Sequence, residues 1–255
     1  MQDHDQSVTA QFDPLAQAYL ASSVHAQGPD LAWVRAWLAA SDRASTNALD
    51  VGCGAGHLGF ALGSHFAAVT LADPSPSMLA TALTESTRRG LEGVRTQACK
   101  AEQLPFDDRS FDLVATRFSA HHWGDVPAAL RQMRRVVEPT GQLLLIDLLG
   151  DELPLVDTHL QALELLRDPS HVRDYSATQW RAMIRESGFT VTASERWPLR
   201  MEFATWVGRM RTPQAAIDAL RVVMAQAPRE VHDGLRVEPD GSFTAMVGLF
   251  VADAS

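Results

Sequence analysis

The chain has 255 residues, with 22 lysines and arginines against 31 aspartates and glutamates, a formal net charge of -9. Hydrophobic residues make up 46%, enough for a substantial core and too much for a disordered chain. An acidic surface repels phosphates, which disfavours a nucleic-acid partner, and the longest apolar runs, near 143–149 and 246–252, are too short to span a bilayer as helices.

The N-terminus, MQDHDQSVTA, lacks the basic flank and apolar run of a secretory signal. Cys53 and Cys99 form no CxxC pair, and Cys53 lies among glycines where a bridge would fight the turn; both read as free thiols of a reducing compartment. The expectation is a cytoplasmic protein with no membrane segment and no bound metal.

Residues 12–40 predict a helical cap carrying Tyr19, Leu20, Trp33, Val34 and Trp37. Residues 45–150 then alternate short apolar runs with amphipathic stretches. Strands are expected at 48–52, 68–72, 94–98, 111–118 and 143–146. Between them, Pro74 halts the second strand, Ser75 or Ser77 caps the next helix, Asp125 caps another, and Gly141 ends that one. Beyond lie a lid and helix at 151–187, a strand at 189–195, a helical insertion at 197–240 and a final strand at 244–252. Unbroken apolar strands alternating with helices specify an α/β fold, a mostly parallel sheet covered on both faces. The whole of 1–255 reads as one domain.

The stretch Leu49 to Gly59, LDVGCGAGHLG, has too many glycines for a plain strand or helix. A strand, a glycine loop and a helix N-terminus let a ligand lie against bare backbone, where a Cβ would collide. Asp73, at the end of the next strand, is placed to accept both hydroxyls of a ribose, so an adenosine-type ligand is implied. Two spacings coexist: Gly54, Gly56 and Gly59 match a dinucleotide loop, while Asp50, Gly52, Gly54 and Gly56 match another. A carboxylate at Asp50 would oppose a pyrophosphate and suit an ammonium or sulfonium.

LDVGCGAG, LADPSPSML, AEQLPFDDRSFDLV and RRVVEPTGQLLLID, in that order, resemble the motifs of class I S-adenosylmethionine-dependent methyltransferases. The group that includes the ubiquinone/menaquinone C-methyltransferases is the most similar, and the resemblance covers roughly residues 12–148. It implies a doubly wound, seven-stranded Rossmann-like sheet and S-adenosylmethionine as cofactor, leaving S-adenosylhomocysteine. By position it puts Asp50, Gly52, Cys53, Gly54 and Gly56 under the methionine part, with Asp73 and Pro74 at the ribose. Met78 lies on the adenine face, and Ala101 and Glu102 present backbone to that ring. Arg117 and Phe118 flank the methionine end, and Tyr19 closes the site. The family commonly has Gly-Asp where this chain has Cys99-Lys100. A lysine ammonium only donates, so adenine recognition falls to backbone or Glu102, or Lys100 turns to solvent.

Methyl transfer needs alignment, exclusion of water and, for a protonated nucleophile, a base. His121 and His122 follow the fourth strand and are the candidates; a metal role is disfavoured because no carboxylate or thiol sits at ligand spacing. Asp107, Asp108 and Asp112 read as turn and strand-start residues, and Arg131, Arg134 and Arg135 as a solvated helix face. Trp206, Met210 and Met224 read as core, with the lining of an apolar substrate pocket as the sharper alternative. His171, Arg173, Tyr175 and Trp180 have no assigned role. The expected activity is methylation of an O, N or C nucleophile on a small molecule. An S-adenosylmethionine-binding protein without transfer and an NAD-dependent oxidoreductase are the rivals.

Overall fold

The structure, a computed structural model, describes residues 3–22, 26–41 and 46–255. Residues 23–25 of the expected cap and residue 45 at the edge of the expected core lie outside it. Seven strands form one sheet: β1 (Asn47–Val51), β2 (Ala68–Asp73), β3 (Val94–Ala98), β4 (Phe111–Arg117), β5 (Val137–Leu149), β6 (Phe189–Met201) and β7 (Phe243–Ala254). Their order is β3-β2-β1-β4-β5-β7-β6, and only β7 runs antiparallel to its neighbours. The chain winds outward from β1 to β3 on one side, then restarts at β4 on the other. The crevice at the carboxyl ends of β1 and β4 is therefore the topological switch point, where ligands bind in such sheets.

The sheet separates two apolar layers, and β5 shows why its sequence is a continuous apolar run. Leu144, Ile146 and Leu148 enter one layer, while Leu143, Leu145 and Leu149 enter the other. The first layer contains α3 (Pro29–Ala39), α4 (His57–Gly63), α5 (Pro76–Arg88) and α7 (Pro154–Arg167), and the second α6 (Val126–Val136) and α8 (Ala177–Glu186). Helix α6 buries Val126, Ala129, Leu130, Met133 and Val136, one stripe at helical spacing, and Asp125 caps it by accepting from the Ala128 N–H at 2.8 Å. In α5 the cap is Ser75, which accepts from the Met78 N–H at 3.1 Å.

Several boundaries differ from the sequence reading. Helix α6 ends at Val136, and β5 begins in the next residue, so Gly141 lies inside a strand and breaks no helix. Pro139 disfavours helical backbone in the residue before it, which moves the stop earlier. Strand β6 runs on to Met201 through Pro198, a residue that an edge strand tolerates because one side of its backbone needs no partner. The insertion thus starts after Met201, with α9 (Phe203–Arg209), α10 (Gln214–Gln226) and α11 (Arg229–Leu235). The N-terminal helices also begin sooner than expected. Helix α1 (His4–Phe12) is nucleated by a reciprocal capping box between Asp3 and Gln6, and a short turn leads from it into α2 (Ala16–Ala21).

Arg131 is exposed and Arg135 pairs with Asp108 at 2.8 Å, as a solvated face would have it, but Arg134 and Arg135 also have structural roles. Arg134 donates to the carbonyls of Gly188 and Ser255, and Arg135 to those of Leu104 and Phe106, so both tie loops to α6. Asp112 accepts from the Thr46 and Asn47 N–H groups, the structural role expected of a strand-start carboxylate. Among the described residues, no helix is long and apolar enough to cross a membrane.

Candidate active site

A cleft opens at the carboxyl ends of β1, β2 and β4. Its walls include Asp50, Gly52, Cys53 and Gly54 from the first strand and loop, and Asp73, Pro74 and Met78 from the second strand and α5. Ala101 and Glu102 close one end; Arg117, Phe118 and Tyr19 close the other. Of the residues that the motifs single out for the cofactor, Gly56 alone does not line the cleft. Its φ is +93°, and a Cβ there would meet Phe60 at 2.8 Å and Ala82 at 2.9 Å, so this glycine is required for packing α4 against α5.

The loop is held by the two carboxylates. Gly54 N–H donates to Asp73 Oδ2 at 2.8 Å, and Gly59 N–H donates to Asp50 Oδ2 at 2.9 Å. Gly52, with φ +66°, has no room for a side chain, because a Cβ would lie 1.8 Å from Ser119 Oγ. Asp50 is 1% exposed, and its second oxygen, Oδ1, has no hydrogen-bond partner among the described residues. Burial pushes its carboxyl up to about 7; Asp73 adds to the rise, and the Gly59 N–H and Arg117 oppose it. Burial likewise raises Asp73 to about 6, against the N–H donors Ser75 and Gly54. Burial keeps both thiols protonated, Cys99 at about 11 and Cys53 well above its ordinary value, so neither is a ready nucleophile.

The N-terminal helices roof this cleft. Asp5, Thr9 and Phe12 of α1 line it, and the expected cap, starting at residue 12, includes only the last of these. Lys100 is exposed, as a lysine turned to solvent would be, and its ammonium is paired with Asp5 of α1. Arg117 is buried and donates through Nε to Asp30 of α3, a second tie between roof and sheet. Tyr19 donates its hydroxyl to Met210 Sδ at 3.3 Å, and its carbonyl accepts from His57 Nε2 at 3.1 Å.

A second cavity adjoins the first, and the two share Phe12, Tyr19, Phe118 and His122 as walls. Leu148, Leu199, Met201 and Trp206 make it apolar, while His121, Arg167, Asp168 and Arg209 bring charge. Trp206 and Met201 thus serve both core and cavity; Met224 is core. Phe118, at φ +51°, turns the chain out of β4 into the short 3-10 turn Ala120–His122 that carries both histidines.

The two histidines differ sharply. His121 Nδ1 lies 2.6 Å from Asp147 Oδ1, and its backbone N–H donates to Asp147 Oδ2 at 3.1 Å. Burial opposes its charge, but the Asp147 carboxylate, joined by Asp174 and Glu164, wins and raises it to about 9. It is an imidazolium at neutral pH, and no protein group among the described residues hydrogen-bonds its Nε2. His122 donates from Nδ1 to the Ser170 carbonyl at 3.1 Å, which leaves Nε2 as the bare nitrogen. Burial and then the charge on His121 lower it to about 3. His171 packs against both rings, at 5.9 Å and 6.5 Å between centroids, and is neutral for the same two reasons. The sequence signal for Asp147 was weak: one acid within an apolar strand, 26 residues from its partner. No group of three or more metal-binding side chains is assembled among the described residues.

Residues 49–145 match the family described as "Methyltransferase domain". The chain is 40% identical to the uncharacterized protein YafE of Escherichia coli over 186 residues, 73% of this chain and 90% of that one. It is 36% identical to YcgJ of Bacillus subtilis, an uncharacterized methyltransferase, over 202 residues, 79% of each. The crystal structure of YcgJ superposes with a TM-score of 0.81, covering 87% of this chain and 97% of that one at 31% identity. A putative methyltransferase from Bacillus halodurans superposes at 0.84, covering 89% and 99%, at 28% identity. The chain therefore belongs to the class I S-adenosylmethionine-dependent methyltransferases, in the group related to YcgJ and the ubiquinone/menaquinone C-methyltransferases.

Proposed function

We propose that the protein transfers a methyl group from S-adenosylmethionine to an oxygen, nitrogen or carbon nucleophile of a small molecule seated in the second cavity. The observation that carries this reading is the junction of the two cavities at Phe118, Tyr19 and His122, beside an unpartnered carboxylate oxygen on Asp50. That oxygen fits a cationic amino-acid end and opposes a pyrophosphate, which favours S-adenosylmethionine over NAD. Asp73 and Pro74 take the ribose, Met78 and the backbone of Ala101 and Glu102 the adenine, and Gly52, Cys53 and Gly54 pass under the methionine part. The bound cofactor supplies an electrophilic methyl carbon and its own leaving group.

The chain's part is to align the nucleophile, exclude water and govern its proton. His122 Nε2 accepts a hydrogen bond from the nucleophile and orients it. His121, fixed by Asp147, holds its proton at Nε2 and stabilises negative charge on the nucleophile as the nucleophile's own proton passes to His122 Nε2. Its residue-long offset from His122 and their different partners divide these roles. A protein that binds the cofactor without transfer is the rival, and Lys100 is its main support. The pairing of Lys100 with Asp5 gives that residue a structural reason instead.

Calorimetric titration with S-adenosylhomocysteine, with NAD in parallel, tests the cofactor assignment. One-to-one binding of the first alone is expected; binding of NAD alone would sink it. A methyl-acceptor panel, read by S-adenosylhomocysteine release, then tests transfer.

A further inference from the structure

At the second cavity Asp168 and one oxygen of Glu164 have partners, the other Glu164 oxygen has none, and among the described residues one guanidinium has none either. Glu164 Oε2 pairs with Arg167 at 3.1 Å, and Arg167 also donates to the Trp206 carbonyl at 3.1 Å. Asp168 Oδ1 takes the N–H of Ser170 at 2.9 Å and its hydroxyl at 2.6 Å. Arg209, the last residue of α9, is half-buried on the same wall, and no hydrogen bond or ion pair among the described residues engages its guanidinium. Desolvating a guanidinium without a hydrogen-bond acceptor is unfavourable, and burial, with Arg167 adding to it, works against its charge, while Tyr19 and Glu164 oppose that fall. The rest of the wall is apolar and aromatic: Phe12, Leu148, Leu199, Met201 and Trp206.

We infer that the methyl acceptor is a small, largely apolar carboxylic acid, whose carboxylate pairs with Arg209 while the nucleophile faces His121 and His122. This rests on the methyltransferase reading above and adds the substrate class to it. A guanidinium fork matches the two oxygens of a carboxylate, and the apolar wall takes the body of the molecule. A phosphate dianion fits less well, because Asp168 lines the same cavity and would oppose the second charge. Arg209 lies on the insertion between β6 and β7, so it is a specificity residue contributed by a segment about 150 residues from the glycine loop in sequence.

The test is calorimetry on protein saturated with S-adenosylhomocysteine, with 4-hydroxybenzoate, trans-cinnamate and octanoate as probes, each against its primary amide. At least one acid is expected to saturate, about ten-fold or more tighter than its amide. Arg209→Gln should bring acid and amide together, and Arg209→Lys should keep part of the preference, both with unaltered affinity for S-adenosylhomocysteine. Normal cofactor binding with no acid saturating below about 10 mM, or with acid and amide alike, would overturn the inference and leave the methyltransferase reading standing. Retained preference in Arg209→Gln would overturn the role of Arg209. No binding of S-adenosylhomocysteine to the wild-type protein would remove the cofactor assignment, and this inference with it.

Discussion

The two adjoining cavities are built in different ways. The first is founded on strand ends, with a glycine loop after β1, a carboxylate at the end of β2 and a loop after β3, and is roofed by side chains of α1 and α2. The second is made of side chains brought from α1, the turn after β4, α7, β6 and α9, over 190 residues apart in the chain. Backbone geometry is dictated locally by glycines and caps, so it suits a ligand shared across a family. Side chains from scattered segments change one at a time, and they suit a ligand that differs between members.

That contrast makes separable predictions. The largest effect falls in the second cavity: His121→Ala should lower kcat by about 10²- to 10⁴-fold while affinity for S-adenosylhomocysteine stays unchanged. Asp147→Asn removes the carboxylate that holds the imidazolium, so the His121 titration near 9 should shift down toward the ordinary histidine range, visible by NMR or in the pH–rate profile. A drop in cofactor affinity instead would mean that the two cavities are not functionally distinct.

In the first cavity, Asp73→Asn should weaken S-adenosylhomocysteine binding by about 100-fold, the loss of two charge-assisted hydrogen bonds to a diol. Unchanged affinity in a protein that still melts cooperatively would displace the ribose from Asp73. Smaller is the pH effect. Asp50 titrates near 7 and Asp73 near 6, and a cationic amino acid and a diol both prefer ionised carboxylates. Affinity should therefore fall about ten-fold or more between pH 8 and pH 5.5, by calorimetry at each pH.

The free protein should respond with the opposite sign. A carboxyl raised in the folded state contributes stability that is full below its unfolded value of 3.8 and is lost as pH rises through about 7. Asp50→Asn should then melt higher than wild type at pH 8 while binding S-adenosylhomocysteine less well. A lower melting temperature would show that Oδ1 has a partner in solution. The smallest effect belongs to the roof: Lys100→Ala breaks an exposed pair with Asp5 and should weaken S-adenosylhomocysteine binding by about two- to five-fold, less at high salt.

Much of the first cavity was legible because its signals are local. Gly52 and Gly54 mark the loop, Asp50 and Asp73 lie at strand ends, and Ser75 and Asp125 cap helices within three residues of the groups they satisfy. Strand ends were less legible. The extension of β6 through Pro198 depends on its being an edge, and the early start of β5 depends on pairing Val137 with Phe111 across a bulge; neither is a property of the segment alone. The roof was underread because α1 is polar and buries no residue of its own completely, so nothing in its periodicity announces that it covers a cleft.

The order of glycines, acids and apolar runs by itself determined the mostly parallel sheet and the nucleotide loop, since each follows from backbone sterics and periodicity within a few residues, and the resemblance of four motifs pointed to the family. Tertiary structure alone decided that Asp147 holds His121, that Lys100 meets Asp5 and that Arg209 has no hydrogen-bond partner among the described residues beside an apolar wall. Those facts turn on which side chains meet across long separations, and on how burial shifts their charge, and no local pattern encodes either.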